Sequence, residues 1–365
     1  MIDFEPTEEQ QLIVETVRQF ATNEIRKAAR EADEAAALPA AVLERAHELG
    51  LVSSALPEAY GGGGARSAVT GALAAEELAY GDLAIALAVL SPTLLALPIA
   101  DFGSEEQKKT WLPRLAGERY LPGSLALVEP AFRFDPRQPA TTAKRDGKEY
   151  VLDGAKCFVP WQDGGEAVLV IAAEDGEAQG FLVPRGAPGI SVAREKNLGI
   201  RALPTVELWL RGVRVPASAK LGGERAKGDV AVREIVNRGR VALAACAVGV
   251  ARAAFEIARD YAKERQTFGA PIATRQAIAF KLADMAIEID GARLLAWEAA
   301  WKMDEGQDAT RETTIARHQA QRVALEVADG AVQVLGGHGY IREYLPEMHL
   351  RNARGFCTFE ALSLV

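Results

Sequence analysis

YAKERQTFGAPIATRQAIAFKLADMA, residues 261–286, holds a turn from which the rest of the chain can be read. A helix running in from the N-terminal side ends near Arg265. Phe268, Gly269 and Pro271 then make a turn, and a second helix starts near Thr274. Upstream, residues 240–265 are rich in alanine and contain Gly249, so small side chains let this helix approach a neighbour closely. Downstream, Ile278, Leu282, Met285 and Ile289 form one apolar stripe on a helix spanning residues 274–303. A third helix is expected over 309–335, ending at Gly336-Gly337, and a short fourth over 346–355. Long helices joined by short loops imply an antiparallel four-helix bundle over residues 226–365.

Moving towards the N-terminus, the texture changes over residues 121–225. Helical periodicity fades, while proline and glycine become frequent. Asp153-Gly154, flanked by residues 150–152 and 156–159, predicts a hairpin. Residues 167–172 and 180–183, around an EDG turn, predict another. In TVELWLRGVRV, Val206, Leu208 and Leu210 share one face, and Glu207, Trp209 and Arg211 the other. This reads as a compact β-barrel or sandwich. Residues 1–120 are helical. Thr7 is placed as an N-cap before Leu12, Ile13, Val17, Phe20 and Ile25, and Ser104 as another. Helices are also expected over 40–49, with Gly50 as the stop, and over 68–80. The expected fold class is therefore multi-domain α+β, in the order helical domain, β domain, helical bundle.

Composition narrows the function. The 365 residues carry a net charge of -8, which disfavours a nucleic-acid partner. Three dispersed cysteines, Cys157, Cys246 and Cys357, suggest neither a zinc site nor a disulfide framework. No basic start followed by an apolar run marks a secretory signal, so a cytoplasmic setting is expected. The apolar run 83–100 is broken by Ser91, Pro92 and Pro98, and reads as packed helices rather than a membrane span. The sequence contains no GxGxxG, Walker lysine, HExxH or GxSxG. GGGG at 61–64 has no strand before it and no Lys-Ser/Thr after it. His47, His318, His338 and His349 are scattered, so hydrolase and metalloenzyme chemistries lack a constellation.

Two stretches offer chemistry on their residues. At the 261–286 turn, Arg265 can give a pyrophosphate a charge-assisted contact, and Phe268 presents a flat face to a ring. On physical grounds alone, a helix hairpin with a solvated arginine is the preferred reading. Near the C-terminus, Gly336, Gly337 and Gly339 allow close backbone approach. Glu360 follows Phe356 and Phe359, and an acid in apolar surroundings can act as a base near neutrality. A surface glutamate reads equally well there.

The segments ALPEAYGGGG, EELAYGD, KEYVLDGAK, YAKERQTFGAPI, FKLADMA and QVLGGHGYIREY, in this order, resemble the acyl-CoA dehydrogenase family across nearly the whole chain. The resemblance implies FAD, oxidation of an acyl-CoA thioester to the trans-2-enoyl thioester in fatty acid metabolism, and an electron-transferring flavoprotein as acceptor. It also implies a dimer or tetramer, formed with itself or with a related subunit, that clasps the flavin between chains. Carried over residue by residue, it places the base at Glu360, where FEAL stands for the family's YEGT-like motif. Arg240 and Asn237 fall at the acyl-CoA site. The nucleotide half of FAD falls to Arg265, Thr267, Phe268, Gln276, Gln333, Gly336 and Gly337, donated to the neighbour. The flavin ring falls to Val128, Phe158, Val159 and Pro160.

This ring side departs from the family pattern. VEPAFRFD, residues 128–135, stands for TEPGAGSD, with Phe132, Arg133 and Phe134 at small positions. Such bulk is expected to fill the space that flavin or thioester needs. Pro160 replaces a hydroxyl that would meet flavin N5, and a proline has no N–H to donate. Ala361-Leu362 replaces Gly-Thr, and the family's final helix is absent from the sequence. Two expectations follow. One is a self-sufficient acyl-CoA dehydrogenase. The other is a degenerate partner subunit that completes a sister chain's FAD site.

Overall fold

The computed structural model describes residues 5–223, 227–356, 360 and 362–365. Cys357, Phe359 and Ala361 lie outside the described residues. Helices α1 (Glu8–Phe20), α2 (Arg26–Ala35), α3 (Ala40–Glu48), α4 (Ala68–Gly81), α5 (Leu83–Val89), α6 (Thr93–Phe102) and α7 (Glu105–Leu115) come first. Thr7 and Ser104 both close capping boxes, with Gln10 and Gln107, so side chains satisfy the first free amides of α1 and α7. Two stretches, Leu83–Phe102 and Gly228–Glu264, are long and apolar enough to cross a membrane. Both are mostly buried within the fold, and Ser91 and Pro92 interrupt the first between α5 and α6.

The middle of the chain forms one seven-stranded mixed sheet: β1 (Leu125–Ala126), β2 (Thr142–Asp146), β3 (Glu149–Pro160), β4 (Ala167–Glu174), β5 (Glu177–Pro184), β6 (Ile190–Arg194) and β7 (Thr205–Pro216). The hairpin expected at Asp153-Gly154 is not there, because β3 runs through that dipeptide. The turn sits one Asp-Gly earlier, where Asp146 pairs Glu149 across Gly147-Lys148. Gly154 instead marks a bulge against β7, and a side chain there would collide with the Thr141 backbone. The second hairpin stands as expected, with Asp175 and Gly176 both at positive φ between β4 and β5. One core belongs to the β domain itself, around Tyr150, Leu152, Phe181 and Leu208. A second joins Leu169, Ile171 and Leu182 to apolar residues of α6 and α7.

The C-terminal part is built on α8 (Gly228–Glu264), a 37-residue helix. A two-stranded turn follows, β8 (Gln266–Thr267) with β9 (Ala270–Pro271). Then come α9 (Gln276–Asp304), α10 (Thr310–Leu335), α11 (Gly337–Tyr340) and α12 (Pro346–Ala353). The bundle does not stand alone, because α4 packs against both α8 and α9. Its Glu76 and Glu77 are buried, and take Arg252 of α8 at 2.9 and 2.6 Å. Arg18 of α1 meets Glu77 at 2.8 Å, and Arg293 of α9 meets Glu76 at 3.1 Å.

Gly249 makes the α4–α8 contact possible. A Cβ at this position would sit 2.2 Å from the Glu76 carbonyl oxygen and 2.9 Å from the Tyr80 nitrogen. Both obstacles are backbone, so the helices must move apart. Gly249→Ala is expected to cost about 1–3 kcal/mol despite alanine's better helix propensity, measured by chemical denaturation against wild type.

Candidate functional site

At one end of the bundle, α8 and α10 each bring an arginine, Arg240 and Arg317, to the Glu360 carboxylate. Asn237 and Arg240 lie three residues apart on α8, so they share a face. Asn237 is buried and engages α10. Its Nδ2 donates to Thr310 Oγ1 at 3.3 Å, and its Oδ1 accepts from Thr313 Oγ1 at 3.1 Å. Arg240 Nε donates to Glu360 Oε1 at 3.1 Å, and its Nη1 donates to Thr314 Oγ1 at 2.8 Å. Arg317 of α10 lies 3.8 Å from the same Oε1. The Glu360 side chain is only 12% exposed, so these contacts act with little screening.

Beside this end lies the loop after β1. Its Asp135 carboxyl is held below the usual range, first by the Arg137 backbone amide, and Arg240 adds a smaller pull. Glu129 organises the loop from within. Its carboxylate accepts from the Ala140 and Thr141 amides at 2.7 and 2.8 Å and from Lys156 Nζ at 2.9 Å. Lys156 is fully buried on β3, and also donates to the Leu127 carbonyl at 3.1 Å. Burial alone would raise the Glu129 carboxyl. The Lys156 charge and the hydrogen bonds from Lys156 and Thr141 outweigh it, and the group stays below the ordinary carboxylate range.

The ring-side candidates hang on this pair. Cys157 N donates to the Val128 carbonyl at 2.9 Å, which joins the two segments. Phe158 adopts φ 53°, a left-handed conformation costly for an aromatic residue, at a register shift between β3 and β7. Its amide is taken by Glu195 Oε1 at 3.1 Å. Val128 and Phe158 are partly exposed, while Val159 and Pro160 are buried. The bulky replacements do not fill this space, contrary to the expectation from their size. Phe132 and Arg133 point into solvent, and Phe134 packs against the core shared with α6 and α7.

The far end of α8 carries the remaining candidates. Arg265 caps the helix, and Thr267, Phe268 and Gly269 form the tip of the β8–β9 turn, with Phe268 at φ 51° and 98% exposed. Gln276 opens α9, next to Arg275, whose Nη2 donates to the Thr267 carbonyl at 3.1 Å. Gly336 has φ 60° and ψ -128°, and a Cβ on either Gly336 or Gly337 would meet open space. Tyr261, one turn before Arg265, bonds His338 Nδ1 at 2.8 Å, and so brings the glycine turn to the end of α8. Gln333 is exposed on the last turn of α10.

Comparison with known proteins gives this arrangement a context. Models of the acyl-CoA dehydrogenase N-terminal, middle and C-terminal domains match residues 7–119, 124–213 and 226–360. A probable acyl-CoA dehydrogenase of Bacillus subtilis is 39% identical, over 97% of this chain and 94% of its own. The chain belongs to the acyl-CoA dehydrogenase family. Butyryl-CoA dehydrogenase from Megasphaera elsdenii superimposes with a TM-score of 0.89 at 33% identity, covering 97% of this chain and 94% of that one. A glutaryl-CoA dehydrogenase from Mycobacterium smegmatis, solved with FADH2, gives 0.87 at 32%, covering 95% and 89%.

Acyl-CoA dehydrogenases are FAD flavoproteins. In this chain, the open glycine turn and the exposed Arg265 fit the anionic end of such a group. Reading the sequence missed Glu129, Lys156 and Arg317. The signal was there in part. Lys156 continues the inward phase of Tyr150 and Leu152 on β3, and Arg317 borders the buried stripe of Thr313, Ala316 and Ala320 on α10.

Removing one partner of the buried pair strands the other. Lys156→Met is expected to lose about 3–5 kcal/mol in urea unfolding, and Glu129→Gln/Lys156→Met less than the sum of the single changes.

Proposed function

We propose that the protein is an FAD-dependent acyl-CoA dehydrogenase that oxidises an acyl-CoA thioester between its α and β carbons, with Glu360 as the base. The observation that carries this reading is the sheltered Glu360 carboxylate between Arg240 and Arg317. Glu360 takes the α proton. Arg240 keeps the carboxylate facing the site, and Asn237 keeps this face of α8 against α10. FAD, when bound, accepts the β hydride, and an electron-transferring flavoprotein takes the electrons onward. Val128, Phe158, Val159 and Pro160 form the wall on the ring side. The loop that carries Val128 lies near Arg240, so the ring and the base share one end of the molecule.

The nucleotide end of FAD belongs to a second copy. Arg240 and Arg265 are 25 residues apart, ~37 Å along a straight helix. That distance exceeds the reach of one flavin dinucleotide. Arg265, Thr267, Phe268, Gln276, Gln333, Gly336 and Gly337 therefore serve the neighbour's flavin. Phe280, Ile287 and Leu294 support an assembly of copies, since they recur every seventh residue of α9 and are 61%, 69% and 42% exposed.

One observation favours the degenerate partner subunit. Pro160 offers no hydrogen, and the Phe158 amide is already engaged by Glu195. The visible spectrum of the purified chain separates the readings. One flavin per chain in a homo-oligomer supports the enzyme, and colour gained only with a sister chain supports the partner. Glu360→Gln is expected to abolish oxidation of saturated acyl-CoA while flavin stays bound, and undiminished turnover would remove Glu360 from the role of base. Arg265→Ala is expected to weaken flavin retention on dialysis.

A further inference from the structure

The loop between β1 and β2 is anchored at its base, yet it shows two large side chains to solvent. The Glu129 carboxylate takes the Ala140 and Thr141 amides and Lys156, and the Val128 carbonyl takes the Cys157 amide. Further along, Phe134 packs against the apolar cluster that contains Val232 and Val236 of α8, one turn before Asn237 and Arg240. Asp135 lies close enough to Arg240 to feel its charge. The loop tip therefore stands at the end of the molecule that carries Glu360. Phe132 and Arg133 occupy that tip, with Phe132 three residues from Asp135, ~10 Å of extended chain at most. Both side chains are exposed, Phe132 completely, and among the described residues neither has a hydrogen bond, an ion pair or a ring contact. A phenylalanine left wholly in water beside an arginine suits a ligand that is flat and anionic at once. A nucleotide has both properties, since every base offers a face for stacking and phosphate accepts the guanidinium fork.

We infer that Phe132 and Arg133 hold the nucleotide end of the substrate, with Phe132 stacking on the adenine of coenzyme A and Arg133 meeting its phosphates. The inference rests on the acyl-CoA reading and extends it to the part of the substrate remote from the chemistry. With the thioester at Glu360, the long pantetheine arm carries the nucleotide outward, towards the loop tip. The anchored base keeps the tip in place, so the two side chains wait where the nucleotide arrives. The contact is the same in the bound substrate and in the transition state, so it lowers KM and leaves kcat alone. It also makes the loop a specificity element: a thioester of coenzyme A engages it, and a thioester without the nucleotide does not.

The test is a calorimetric titration of the flavin-loaded protein with coenzyme A and with 4′-phosphopantetheine, which lacks the nucleotide. Phe132→Ala is expected to weaken coenzyme A binding about 5- to 50-fold through the lost stacking. Arg133→Gln is expected to weaken it about 3- to 20-fold through the lost charge-assisted contact. Affinity for 4′-phosphopantetheine and melting temperature are expected to stay at wild-type values in both variants, because neither side chain packs against the fold. In turnover with the best member of an acyl-CoA panel, KM is expected to rise in step with the binding loss while kcat holds, and the matching acyl-pantetheine is expected to show no change. Wild-type affinity for coenzyme A in both variants overturns the inference and leaves the dehydrogenase reading standing. Equal loss of coenzyme A and 4′-phosphopantetheine also overturns it, since the loop would then serve the arm or the fold rather than the nucleotide. If the wild type binds no coenzyme A, the acyl-CoA reading fails and the inference fails with it. If the wild type binds coenzyme A through these two residues but oxidises no acyl-CoA, the dehydrogenase reading fails and the nucleotide contact stands.

Discussion

One unbroken helix sets the distances on which everything else depends. α8 runs from Gly228 to Glu264, with Asn237 and Arg240 near one end and the Arg265 turn at the other. A helix of this length bends only slightly without proline, and α8 contains none. Its position is fixed by α4, which lies so close at Gly249 that only a missing side chain allows the contact. The buried Glu76 and Glu77 then tie α1, α8 and α9 to the same surface through three arginines. Small-residue packing brings the helices together, and the charges fix their register. Isolated surface ion pairs would contribute little, but here the carboxylates are nearly solvent-free and each has more than one partner.

The site inherits its geometry from this frame in two separate pieces. The piece with Glu360 depends on α8 and α10 facing each other across Asn237, whose amide engages Thr310 and Thr313. The piece with the glycine turn depends on Tyr261 and His338, which hold α8 to the segment after α10. Neither piece requires the other within one chain. Rigid separation of two half-sites on a single helix is what makes assembly a condition of chemistry in the reading offered above.

Much of the helical architecture was legible because its signals are local. Thr7, Ser104, Gly50 and the Phe268-Gly269 turn announce themselves within a few residues. The β domain was legible only in outline. Asp146-Gly147 and Asp153-Gly154 look alike in sequence, and only pairing with β7 decides that the first turns and the second bulges. Side-chain direction was also invisible. Size suggested that Phe132 and Arg133 would crowd the ring side, yet the loop turns both outward and sends only Phe134 inward. Lys156 and Glu129 lie 27 residues apart, as do many lysine–glutamate pairs that never meet. Arg317 carries no motif at all, and its place became visible only once α10 lay against α8.

The buried bond between Glu129 and Lys156 reaches beyond this molecule. Replacing either residue alone is costly, because it leaves a charge or a set of amides sealed from water. Evolution can therefore leave this arrangement only by changing both positions together, or nearly so. Natural variants should carry the two residues as an inherited unit, even where the surface between them drifts freely.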